Sequence, residues 1–280
     1  MSDKEKTSHI EGADNWSVPK TVKDNNLFVE VESGTMLDAI YKMDKLLKEK
    51  KVGHLISRKP VRPFLGQSVN AGNFGLWDRN GRPVLSVEPG SYWNFSFMHK
   101  FVGSFDLTSN VECLGLTMGQ VGQSEAMVVL DPQNRVFIVR NGGFVSYGIG
   151  GRFRIAAVVD TLDLGETNAV YDKSMNAVVG YKKEITVPVM AGGQKAMITL
   201  ATFFNVPANN VVLVQKKNEL YSLGAGQHVI TDPHTTFRGF FSLSERQVFN
   251  LVCNTVAYIF NKASIHCRRG SCYIKIKFTI

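Results

Sequence analysis

At 280 residues the chain can form one large or two to four small domains, each burying its own core. Its 44% hydrophobic and 20% charged residues are the balance of a folded globular protein and exclude a disordered or fibrous chain. An excess of 32 Lys and Arg over 24 Asp and Glu gives a net charge of +8, but the basic residues are dispersed, so a solvated basic surface is expected before a specific nucleic-acid site.

Residues 1–26 are polar with few large apolar side chains and read as a flexible tail. A strand–helix segment, 27–66, follows. Leu27, Val29 and Val31 alternate with polar residues, a strand signal, and Ser33–Thr35 break it. Met36–Lys51 carries Met36, Leu37, Ile40, Met43, Leu46 and Leu47 at helical spacing. Thr35 can cap this N-terminal amphipathic helix, and Lys45, Lys48, Lys50 and Lys51 crowd its end, where they complement the helix dipole. Such a helix either packs on its own domain or lies on an anionic membrane surface through those lysines. Arg58–Asn73, with Pro60 and Pro63, reads as a linker or an irregular edge.

Beyond it the chain repeats itself. Leu220, Tyr221, Leu223, Gly226, His228 and Val229 stand at fixed offsets that recur at Val84, Leu85, Val87, Gly90, Tyr92 and Trp93. They recur again at Val136, Phe137, Val139, Gly142, Phe144 and Val145, and more weakly at Ser264, Ile265, Cys267, Gly270, Cys272 and Tyr273. A short apolar strand precedes each copy (Phe74–Trp77, Met127–Leu130, Val211–Val214, Thr255–Tyr258), joined to it by a polar turn near Asp78, Asp131, Gln215 and Asn261. The glycine supplies a second reversal, and a third strand starts at the ring two residues on. Each unit is therefore expected to be a three-stranded meander, too small to stand alone, so that units share a core. The fold class this implies is mainly β with minor α: tandem small antiparallel meanders plus the N-terminal helix. The expected limits are 67–121 for the first repeat, 122–205 for the second with inserted strands (Ala177–Val179, Ile185–Met190, Ala196–Phe204), 206–246 for the third, and 247–280 for a helix over Glu245–Asn254 and a partial fourth repeat.

The third copy, with Val206, Pro207, Val211, Leu213, Asn218, Leu220, Gly226, His228, Val229 and Pro233, resembles the SPFH family (stomatins, prohibitins, flotillins) and the repeats of the major vault protein. The resemblance covers Phe74–Ser242 and implies β modules that assemble side by side into rings, cages or membrane-microdomain scaffolds. The chain departs from the SPFH pattern in showing neither a hydrophobic N-terminal hairpin nor heptads, and from vault proteins, which carry many more repeats and a long cap helix.

Chemistry is sparse. The six histidines are dispersed and no Gly-x-Ser-x-Gly elbow occurs. His228 stands where Tyr92 and Phe144 stand, and is read as a half-buried strand ring. Cys253, His266, Cys267 and Cys272 lack the paired short spacings of a structural zinc site. Gly142, Gly143, Gly148, Gly150 and Gly151 sit among strands rather than before a helix, so no phosphate loop is expected. No apolar run approaches the roughly 20 residues of a membrane helix, Met1–Ser8 is too polar for a signal peptide, and four scattered cysteines suit a reducing compartment. The expectation is a cytoplasmic, peripherally membrane-associated or free scaffold, not an enzyme, with no cofactor and with copies of itself or related repeat proteins as partners. A peripheral membrane module using the basic helix, and a β-barrel enzyme or small-ligand binder, are the alternatives. The residues that define the repeat, and with it the scaffold, are Gly90, Tyr92, Gly142, Phe144, Gly226, His228 and Gly270.

Overall fold

A computed structural model describes residues 18–57, 66–92, 99–148, 152–172, 177–191, 194–217 and 219–243, with two further strands at 263–268 and 271–276. The chain is mainly β, built of antiparallel sheets with few helices. It divides into two compact units between Asp160 and Thr161, a boundary inside the stretch expected to be the second repeat.

The first unit opens with α1 (Lys20–Asn25), β1 (Phe28–Glu32) and α2 (Met36–Glu49). Val18 and Val22 are buried, so residues 18–26 are not part of a flexible tail as expected for 1–26. Next come β2 (Gln67–Val69), β3 (Asn73–Arg79), β4 (Arg82–Ser86), β5 (Gly90–Tyr92), β6 (His99–Asp106), β7 (Val111–Cys113), β8 (Leu116–Leu130), β9 (Val136–Tyr147) and β10 (Arg154–Asp160). The second unit holds β11 (Ala169–Asp172), β12 (Ala177–Ala191), β13 (Gln194–Val206), β14 (Asn210–Lys216), β15 (Glu219–Leu223), β16 (Gly226–Ile230), β17 (Thr235–Ser242) and the hairpin β18 (Ala263–Arg268) with β19 (Ser271–Ile276).

The strand pairings repeat. In the first copy β3 forms a hairpin with β4 and pairs β6 on its other side, while β5 crosses to pair β2. In the third copy β14 stands between β15 and β17, while β16 crosses to pair the end of β13. The middle copy runs the same path with longer strands. The 126–130 part of β8 stands between the 136–140 part of β9 and β10, and the 142–147 part of β9 pairs the 116–121 part of β8. Each crossing begins with the same pair, Val69 opposite Gly90, Val121 opposite Gly142 and Val206 opposite Gly226. Each copy also bulges at one place: Val102, Ala156 and Arg238 are the residues skipped in the pairings of β3, β8 and β14 with β6, β10 and β17.

Two expectations are corrected by this pairing. The units are not three-stranded meanders, because the strand after the glycine leaves its hairpin for another partner. Gly90, Gly142 and Gly226 have φ of 154°, 148° and 128°, a backbone region that side chains disfavour, at the point where the chain changes its pairing segment. The gapless alignment also slips in the first copy. Trp77, Val129 and Val214 face Val84, Phe137 and Tyr221, so copies two and three align as read, whereas the first holds one extra residue between β4 and Gly90.

Each copy has its own apolar centre. Val69, Trp77 and Tyr92 cluster in the first, and Val121, Val129 and Phe144 belong to the corresponding cluster in the second. Val206, Val214 and Phe240 belong to that of the third. Within the first unit α2 joins two copies. Met36, Ala39, Ile40, Met43 and Leu47 are buried in a cluster with Phe74, Leu76 and Leu85 of the first copy and Leu116, Met118 and Val145 of the second. Burial of the four larger side chains contributes about 1.5–3 kcal/mol each. The helix start is fixed by a reciprocal cap between Thr35 and Asp38, and by Gln120, whose Oε1 accepts from the Met36 amide at 2.6 Å.

Candidate assembly surface

The repeat residues sit where the chain changes its pairing segment. A Cβ on Gly142 would collide with the Val31 carbonyl of β1, and one on Gly143 with the backbone of Thr35 and Met36, so this glycine pair is where strand and helix approach most closely. Tyr92 and Phe144 are buried, and Tyr92 donates its hydroxyl to the Glu88 carbonyl at 2.6 Å. Burial raises the Tyr92 pKa above the ordinary value, helped by the Glu88 charge, against the bond to the Glu88 carbonyl. His228, in the same place, is half-buried and pairs Phe204; its Nε2 lies 2.9 Å from the Gly224 carbonyl. Its ring engages the turn before its own strand. Gly270, Asn218 and Trp93 lie outside the described residues, as do the segments expected at Glu245–Asn254 and Thr255–Tyr258 and the side chains of Cys253, His266, Cys267 and Cys272.

The four lysines near the end of α2 differ in their surroundings. Lys48 pairs with the buried Asp44, and Lys50 donates to the Asp24 carbonyl at 3.1 Å. Lys45 is exposed, 3.9 Å from Glu49, and Lys51 is exposed with φ of 57°. The apolar face that a membrane-lying helix would insert is turned into the core of its own unit. Asp44 explains much of that geometry. Burial pushes its carboxyl up, but hydrogen bonds from Lys48 and from the Ile56 and Leu55 amides outweigh burial and hold it below the usual carboxylate range. No helix among the described residues is long and apolar enough to cross a membrane.

The feature that sequence reasoning left without a role is in the second unit. β11 pairs only the 177–181 end of β12, and β16 pairs only the 202–206 end of β13. Beyond those ends, among the described residues, 185–191 and 194–201 pair only with each other. A two-stranded ribbon thus extends about 24 Å past its sheet. An isolated ribbon is marginal in water, and its edges are templates for another strand. Natural edges are blunted by charge and proline, yet Lys195 is the one charged residue from Ile185 to Ala201. Its exposed side chains include Val189 at 37%, Met197 at 63% and Ile198 at 45%. Successive strand residues face opposite ways, so both faces carry apolar surface.

The two edges differ. Pro188 has no N–H and is accommodated in strands with its nitrogen away from the ladder, which blunts the outer edge of β12. The β13 edge over Gln194–Thr199 has no proline and borders a cleft of about 470 Å³ lined by Met197, Ile198, Leu200, Phe204, Ile230 and Phe237. The signal was present in the sequence as an uncharged run, but only the strand order shows that nothing described covers it.

Comparison with protein-family models, with curated proteins and with solved structures gave no match. The fold and the ribbon therefore carry the functional reading by themselves.

Proposed function

We propose that this chain is a non-catalytic scaffold that associates with copies of itself through its β modules, in a cytoplasmic ring, cage or membrane-microdomain assembly of the kind its resemblance to SPFH and vault repeats implies. The observation that supports it is the open, nearly uncharged β13 edge. The occupant that suits this edge is the same edge of a second copy. An antiparallel pairing of one strand with itself about a two-fold axis is self-complementary. Centred between Met197 and Ile198, it sets each Lys195 opposite Leu200 of the other copy. The two lysines are then about 17 Å apart, beyond the roughly 8 Å Debye length of physiological salt. Like charges do not oppose the contact, and the apolar side chains on both faces continue into it.

Sedimentation of the full chain tests this. Dimers or larger species are expected at micromolar concentration, and Ile198→Lys or Ala196→Pro should shift them to monomer with an unchanged circular dichroism spectrum. A monomer at tens of micromolar, or assembly indifferent to both substitutions, would sink the proposal. Electron microscopy of the assembled species then distinguishes a ring or cage from a dimer.

A further inference from the structure

The internal repeat provides a control for every position in it, and one position breaks ranks. The residues that flank the hairpin turn are Arg79 and Arg82 in the first copy, Asp131 and Arg135 in the second, and Lys216 and Glu219 in the third. In the second copy Arg135 Nε pairs with Asp131 at 2.7 Å. In the third the two residues are oppositely charged, and Lys216 also reaches Asp232 at 2.9 Å. Only the first copy sets like charges directly opposite one another, an arrangement that destabilises a strand pair. His99 of β6 stands opposite Arg79 on its other side, so basic residues run across all three strands on one face. Neither arginine has an ion pair among the described residues.

Both arginines line a cleft of about 360 Å³, and no acidic residue lines it. The loop after α2 closes one side: Gly53 has φ of 136°, and a Cβ there would lie 3.9 Å from Arg82 Nη1, which places the guanidinium over the loop beside His54. Leu47, Val52, Pro83 and Val84 supply an apolar wall. The volume is in the range of small-molecule sites, roughly 300–1,000 Å³.

We infer that this cleft binds a phosphate monoester carried on an apolar or aromatic body. The two guanidinium forks match the phosphate oxygens, the His54 imidazole adds a donor, and the wall takes the organic part. The bound dianion offsets the repulsion that the first copy alone retains. The inference is independent of self-association, since no residue of the ribbon takes part.

Phenyl phosphate titrated calorimetrically into the full chain tests the site. Vesicles of phosphatidylcholine with and without a phosphoinositide form a second arm that separates a lipid headgroup from a soluble ligand. Saturable binding in either arm, weakened at least tenfold by Arg79→Gln and by Arg82→Glu but not by Lys45→Gln, is the expected result. Arg82→Glu recreates the charge arrangement of the third copy, so it should also raise the Tm of the ligand-free protein, which separates loss of the site from loss of the fold. Absence of saturable binding in both arms, binding indifferent to the two arginines, or a lowered ligand-free Tm in Arg82→Glu would overturn it.

Discussion

Gly142 and Gly226 hold equivalent places, yet different forces fix them there. Both have positive φ, but a side chain on Gly142 would strike the Val31 carbonyl, whereas one on Gly226 would meet only His228 Nε2 at 3.9 Å. Gly226→Ala should therefore cost about 1–2 kcal/mol from backbone conformation alone, and Gly142→Ala distinctly more, read as the difference in denaturant midpoint between the two variants. Asp44 makes a prediction in pH. Its folded pKa lies below the ordinary 3.8, so the stability it provides is present above that value and is lost as pH falls through the lower folded value. Asp44→Ala should cost about 3 kcal/mol at neutral pH, because the Leu55 and Ile56 amides lose their acceptor. It should also flatten the acid limb of a stability profile measured by denaturant titration between pH 2 and 6.

At the level of elements, the helix and the ribbon are opposite cases. α2 is capped, buried along one face and tied to two copies, and Thr35→Ala should cost about 1 kcal/mol. Among the described residues nothing pairs with the outer edge of the ribbon, so amides of Gln194–Thr199 should exchange quickly with deuterium in dilute protein and become protected as concentration rises. Much of this was legible beforehand. Periodicity located the helix, because one face of Met36–Leu47 is consistently apolar, and the offset pattern found the three glycines with positive φ, although the first stands one residue farther from its hairpin than the other two. Pairing partners were not legible: nothing local in Gly90–Tyr92 says that it joins β2 rather than β4. The candidate surface was half visible. The uncharged run from Ile185 to Met190 could be read, but its exposure depends on β11 and β16 stopping short, which is a property of chain lengths elsewhere.

Across the whole molecule the distribution of charge decides between kinds of association. The basic residues behind the net charge of +8 are dispersed along the chain, and two of the four lysines near the end of α2 already engage Asp44 and the Asp24 carbonyl. Contact made by the ribbon is apolar, so assembly should survive 0.5 M salt in a sedimentation experiment, whereas attraction of lysines to an anionic surface would be screened. A complex that dissociates on adding salt would point away from the ribbon.

The shared bulge has an engineering consequence. Because Val102, Ala156 and Arg238 interrupt their ladders at one equivalent place, each hairpin meets its third strand with the same one-residue offset. The three hairpin ends beyond the bulges therefore hold equivalent places. Grafting the turn and its two flanking residues from 216–219 onto 79–82 should leave the sheet beneath unaltered, so that turns could be exchanged among three places that the chain already contains.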